Sequence, residues 1–278
     1  MLHPGARVRP VQGIGRAAAV AVGVTTLAVL LTLAIQPVNA MVARRAAASA
    51  DGDELLLTTG LLEFAAGLVQ IAALLAAIVL VIIWSWRART NLDAFPGAGP
   101  TLSAGWAIAG WLVPFANLVV PYRVVASIAR ESLWRLSTPW LVKVWWAAWL
   151  VHLVTEQMAT RSDLADFDAL PYPETAADFE AYVDYYSAAT RAYLLPTLAC
   201  VVAGVSLIVL IVRISAAQAA RIARATPAGP ILPGMTMAVP SDPAGTASTA
   251  SAPIGSQPAG APAQPPAAPD DRGGTIGV

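Results

Sequence analysis

Four polar side chains stand in otherwise apolar stretches: Glu63, Gln70, His152 and Glu156. Glu63 and Gln70 are two helical turns apart and share a face. His152 and Glu156 are i,i+4 neighbours on a second helix. A carboxylate beside an imidazole in a poorly hydrated place can bind a cation or pass a proton. Ionisable groups at membrane depth are costly and are functional candidates for that reason. The spacing predicts that Glu63, His152 and Glu156 meet at one depth. The plainer alternative has both carboxylates reaching water at helix ends and His152 bonding across the bundle.

A second feature is the run Pro114-Phe-Ala-Asn117-Leu-Val-Val-Pro121-Tyr122-Arg123. Pro114 removes a backbone donor and frees a carbonyl; Asn117 offers a side-chain partner, and Pro121 follows within a turn. Non-helical backbone at membrane depth persists only where protein or water satisfies it. Such broken elements form substrate sites in some transporters, and they also occur as plain kinks.

Other chemistry finds little support. Cys200 is the sole cysteine, so no intrachain disulfide forms, and His3 and His152 are the only histidines. Asp51-Gly-Asp53 resembles the start of a calcium loop, but Leu56 and Leu62 occupy the positions that need Gly and Glu. The chain carries no G-x-S-x-G, H-E-x-x-H, P-loop or G-x-G-x-x-G. The expectation is a non-enzyme, with no catalytic, cofactor-binding or metal-ligating residue.

The elements that position these residues follow from composition. The 278 residues are 57 % hydrophobic and only 12 % charged, against about 25 % charged in a soluble domain. Mean hydropathy is +0.62. The expected fold class is an all-α integral membrane protein. A soluble enzyme and a nucleic-acid binder are excluded. Stretches 17–35, 61–83, 140–158 and 193–214 each have the roughly 20 apolar residues a crossing needs. The Pro-broken stretch 104–120 would reach only about 25 Å as a helix. It is either a fifth crossing or a re-entrant segment.

Positive charge decides between these. With 104–120 re-entrant, 13 of the 17 Lys and Arg lie on the cytoplasmic side; with a fifth crossing, 7 do. The expectation is four crossings plus a re-entrant element, with both termini cytoplasmic. The nine Trp all lie between Trp84 and Trp149, and five of the six Tyr lie in or beside the opposite loop, as interfacial belts would. An aromatic cage for a cation is the sharper reading of the same residues.

Three domains are expected: a basic cytoplasmic leader at 1–16, a membrane helical domain at 17–225, and a Pro/Gly/Ala-rich disordered tail at 226–278. Two loops, 37–60 and 159–190, should face outward; the second holds seven acids and one base, Arg161. Thr175 and Asp178 have capping-box spacing ahead of Phe179, Tyr182 and Tyr186, which share a helical face. Val38-Asn39-Ala40 fits a signal-peptidase site. The apolar stretch before it is longer than a signal peptide's, so it reads as a retained helix. Small residues spaced by four, such as Ala73/Ala77 and Cys200/Gly204, permit close helix packing.

One resemblance emerges from the middle of the chain. Trp84-Ser-Trp86-Arg87-Ala88-Arg89-Thr90-Asn91-Leu92 is followed by Leu102-Ser-Ala-Gly105-Trp106-Ala107. Then come Gly110-Trp111-Leu112-Val113-Pro114-Phe115-Ala116-Asn117-Leu118, Pro121-Tyr122-Arg123 and Trp145-Trp146-Ala-Ala-Trp149. This succession resembles the actinobacterial multi-pass membrane proteins grouped as domain of unknown function 4328, over about residues 17–225. The resemblance implies an envelope location and supplies no activity and no catalytic residues. Two functions are compatible with these readings. The first is a plasma-membrane scaffold or interaction protein using its tail and outer loops. The second is a small-solute or ion transporter using 114–121 and Glu63, His152 and Glu156. The expected partners are the lipid bilayer and either a second copy or another membrane protein, not nucleic acid.

Overall fold

The computed structural model describes residues 8–49 and 51–225. The expectations for His3, Arg7 and the tail at 226–278 lie outside the described residues. The described chain is helical throughout, without a strand. Its elements are α1 (Gln12–Ala46), α2 (Gly52–Leu92), α3 (Trp106–Leu112), a 3₁₀ turn (Ala116–Leu118), α4 (Val120–Ser132), α5 (Trp140–Asp168), α6 (Ala176–Ala192) and α7 (Leu194–Ala225).

Three helical stretches are long and apolar enough to cross a membrane: Gln12–Ala46, Gly52–Leu92 and Ala176–Ala225. The apolar part of the third is α7, because α6 carries Asp178, Glu180 and Asp184. The surfaces fit that reading. On α2, Leu62, Phe64 and Val69 are each about two-thirds exposed. A continuous apolar surface of this kind is rare on a soluble monomer. At 29 residues, α5 is long enough to cross, since that length reaches about 44 Å. It is not among the three, because its tryptophans, Lys143, His152 and Glu156 lower its mean hydropathy.

The long helices run antiparallel, α2 along α1 and α7 along α5, with α1 also packed on α7. Their central core includes Val22, Ala77, Val81, Trp84, Trp145, Leu207 and Leu210. The two stretches expected between crossings, 37–60 and 159–190, are largely helical. α1 continues through Pro37 to Ala46, α2 starts at Gly52 and α5 extends to Asp168. The reason is a second apolar cluster beyond the membrane-length windows, where Ala40, Ala43, Ala46 and Leu56 meet Phe179, Val183 and Tyr186 of α6. That burial offsets the backbone bond lost at Pro37. The α1–α2 connection is tight enough that a Cβ at Gly52 would meet the Ala46 carbonyl oxygen.

Residues 102–132 form a helical hairpin against the other end of the bundle. The Arg89 Nε donates to the Leu102 carbonyl (2.6 Å), and Ser85 Oγ donates to the Ala107 carbonyl (3.4 Å). α3 therefore runs back along α2 from the Arg89 level. The chain reverses through Pro114–Leu118, with Phe115 at φ 62° and 85 % exposed. Such a left-handed conformation in a non-glycine residue costs on the order of 1–3 kcal/mol. α4 then descends to Ser132, which accepts a hydrogen bond from Gln218 Nε2 (2.9 Å). Both ends of the hairpin lie at the end of the bundle that holds Asn91 and Gln218.

Candidate functional site

The polar residues predicted from sequence fall at the acidic end, in two groups. On α1, Thr32, Gln36 and Asn39 are spaced i, i+4, i+7 and form one stripe. Thr32 Oγ1 donates to Gln70 Oε1 at 2.8 Å. Gln36 Nε2 (3.2 Å) and Asn39 Nδ2 both donate to Glu63 Oε1. Gln36 and Asn39 are 8 % and 6 % exposed. Glu63 and Gln70 thus zip α2 to α1, and the Tyr186 hydroxyl of α6 also interacts with the Glu63 carboxylate.

His152 and Glu156 form the second group, facing α7. The His152 Nδ1 lies 3.0 Å from the Pro196 carbonyl, to which its protonated tautomer donates. The imidazole packs against Trp149, the rings tilted by 45° with centroids 5.6 Å apart. Pro196 lies within α7's first turn, and its carbonyl is one of the helix's acceptors.

Glu63 and the His152/Glu156 pair do not meet directly. Asp163, two further turns along the same face of α5, is close enough to Glu63 to interact with it electrostatically. The Tyr193 hydroxyl donates to Asp163 Oδ2 at 3.3 Å, and Tyr185 also interacts with that carboxylate. Burial pushes the Asp163 carboxyl above its usual range, against the lowering effect of both tyrosines. Burial and the Asp163 charge push the Tyr185 hydroxyl up in turn, so it stays a donor. The spacing 152, 156, 163 carries this signal, and the sequence reading missed it by assigning Asp163 to a solvated loop. It missed Gln36 and Asn39 for the same reason, having ended the first helix at 35.

The hairpin residues are placed differently. Asn117 is exposed and its backbone N–H donates to the Val113 carbonyl at 3.1 Å. Pro121 is buried at the start of α4. Ala107, Val124, Val125, Ile128 and Ala129 of the hairpin join the central core, and Trp111 lines a cavity within it.

At the opposite end lies a buried polar knot. Trp84 Nε1 donates to Ser215 Oγ at 2.9 Å. Asn91 Nδ2 donates to the Arg9 carbonyl (2.8 Å) and to Gln218 Oε1 (3.1 Å), while Asn91 Oδ1 accepts from the Arg9 N–H (2.8 Å). Gln218 Nε2 donates to the Ala88 carbonyl (3.0 Å) as well as to Ser132. Asn91 and Gln218 are fully buried. Arg89, 5 % exposed, also pairs with Asp93 at 2.8 Å. Beside the knot, the Arg221 guanidinium lies between the Phe95 and Trp134 rings, 4.2 and 4.3 Å from their centroids.

The profile of one family, described as a domain of unknown function (DUF4328), matches residues 50–216. The chain belongs to this family. No curated protein and no solved structure matches it. The DUF4328 match takes in Trp84, Arg89, Asn91, the hairpin and Ser215; Arg9 and Gln218 lie just outside it. In this DUF4328 chain, the Trp-Arg-Ala-Arg-x-Asn block therefore fastens the leader, the hairpin and α7 together, which is a structural task.

The capping box at α6 is formed as the spacing predicts. Thr175 Oγ1 accepts from the Asp178 N–H, and Asp178 Oδ2 accepts from the Thr175 N–H at 2.7 Å. The Thr175 hydroxyl, then its N–H, hold the Asp178 carboxyl below its usual range. A depressed carboxyl contributes stability above the unfolded value of about 3.9 and loses it as pH falls through the folded value. Protection of the amides at 176–179, relative to their intrinsic exchange rate at each pH, should therefore fall below about pH 4. Asp178→Asn should remove that pH step; an unchanged step would show that the box does not anchor α6.

Proposed function

We propose that this DUF4328 chain is a non-enzymatic, multi-pass plasma-membrane protein that serves as a scaffold or interaction partner. In this reading α1, α2, α5 and α7 cross the bilayer. The 102–132 hairpin re-enters from the cytoplasmic side, which also holds both termini. The hairpin contacts at Leu102, Ala107 and Ser132 support that topology, as does the distribution of Lys and Arg. The observation that carries the functional reading is the polar knot. Arg89 and Asn91, two buried polar residues of the family-matched stretch, direct their hydrogen bonds to partners within the chain.

The transporter reading rests on Glu63, Asp163, His152 and Glu156 at the acidic end. Between that end and the knot, the bundle interior is lined by the apolar side chains of Val22, Ala77, Val81, Trp145 and Leu207. A polar solute would have to pass this apolar layer.

Deletion–complementation separates the two. Truncation after Ala225 should abolish function in a scaffold and spare it in a transporter. Glu156→Gln or Asn117→Ala should do the reverse. Topology is tested at Ser137 in a Cys200→Ala background. Ser137→Cys should resist a membrane-impermeant thiol reagent in intact cells and react after lysis, with an outer-loop cysteine as positive control. Labelling in intact cells would mean five crossings, with the acidic end inside.

A further inference from the structure

A cavity of about 70 Å³ lies in the apolar middle of the bundle. Its walls come from five helices: Thr25 on α1, Leu74 and Ala77 on α2, Trp111 on α3, Trp149 on α5 and Cys200 on α7. We propose that it receives the acyl chain of a bilayer lipid, entering between α2 and α5.

Three observations support this occupant. First, the cavity lining is overwhelmingly apolar. Thr25 and Thr26 direct their hydroxyls to their own helix, at the Ala21 and Val22 carbonyls (3.0 and 2.8 Å). An apolar cavity so lined stays dry and takes apolar guests. Second, its lining reaches the outer face of α2 at the exposed Leu74. α2 packs along α1, α5 packs along α7, and the cavity lies between the two pairs. Leu74 is 36 % exposed on one lip and Trp149 half-buried on the other, while Leu75 and Leu68 beside Leu74 are more than half exposed. Whatever bathes that face of α2 reaches the cavity, and at the depth of these apolar segments that is lipid. Third, the size suits a chain. The space holds about five water-sized groups, a short run of hydrocarbon. A second copy's helix, about 10 Å across, does not fit inside.

The inference rests on the membrane placement but not on the scaffold reading. It is tested with the purified full chain in phosphatidylcholine vesicles containing a phospholipid with a diazirine at its chain end. After illumination, adducts should appear at Trp149 and Cys200, and at Phe64 and Leu68 on the outer face. Leu74→Trp, which blocks the lip from an exposed position, and Ala77→Phe, which fills the space, should each abolish the cavity adducts and leave those at Phe64. Adducts at Phe64 without any at Trp149 or Cys200 would overturn the proposal. So would cavity adducts that persist in both variants. Lack of adducts at Phe64 as well would overturn the membrane placement itself. A Leu74→Cys, Cys200→Ala chain that forms a disulfide dimer in the vesicles would assign the cleft to a second copy instead.

Discussion

Asn91→Leu should lower stability by about 3–5 kcal/mol, more than other polar substitutions in the bundle. Asn91 is fully buried and serves three partners: the Arg9 N–H, the Arg9 carbonyl and Gln218 Oε1. Leucine has a similar volume, so the packing term is small and the cost is that of three abandoned polar groups, Gln218 Oε1 in the interior and the two backbone groups of Arg9 at the bundle's rim. Each buried unpaired group costs about 1–3 kcal/mol. Thr90→Ala is the control. Among the described residues Thr90 Oγ1 bonds only to the Trp86 carbonyl one turn back (2.8 Å), so its loss should be small. The measurement is the midpoint of denaturant-induced unfolding in detergent micelles, followed by helical circular dichroism. The double variant Asn91→Leu, Gln218→Leu should cost less than the sum of the singles, because it removes both partners of one bond. Strict additivity would mean that the two side chains do not interact.

The knot also shows which parts of the molecule were legible in the sequence. Long apolar runs are local signals, and they placed α1, α2 and α7. The Thr175/Asp178 box is local too and was read correctly. The Asn91–Gln218 bond spans 127 positions, and no spacing rule reaches that far. Helix ends were misjudged where apolar run and helix diverge. Past Ile35 and before Leu61 the chain becomes polar, but Ala40, Ala43 and Leu56 still face α6. A helix end was read from the loss of lipid-facing residues, whereas the chain ends its helices where packing ends. The same error concealed Gln36, Asn39 and Asp163. Glu63, Gln70 and His152 stand out individually, but their partners Thr32, Gln36, Asn39, Tyr186 and Pro196 depend on how α1, α6 and α7 pack.

The second large effect belongs to Gly110. Glycine within a helix normally gains about 1 kcal/mol on replacement by alanine. Here the sign should reverse. A Cβ at Gly110 would lie 2.9 Å from the Val120 Cβ and closer still to its Cγ1. Both Val120 atoms belong to a β-branched side chain at the start of α4 and cannot swing away freely. Gly110→Ala should therefore cost about 2–3 kcal/mol, as overpacking does, and Gly110→Leu should disrupt the hairpin. Val120→Ala should restore much of the loss in the double variant, giving a coupling of about 1–2 kcal/mol. The coupling also discriminates topology. In a continuous helix, residues ten apart are separated by about 15 Å and cannot touch. Residues 110 and 120 couple only if the chain reverses between them. A measured coupling therefore argues for re-entry at Pro114–Leu118. Independent, additive effects would mean that this segment straightens in the bilayer and crosses it, carrying Ser137 to the opposite face.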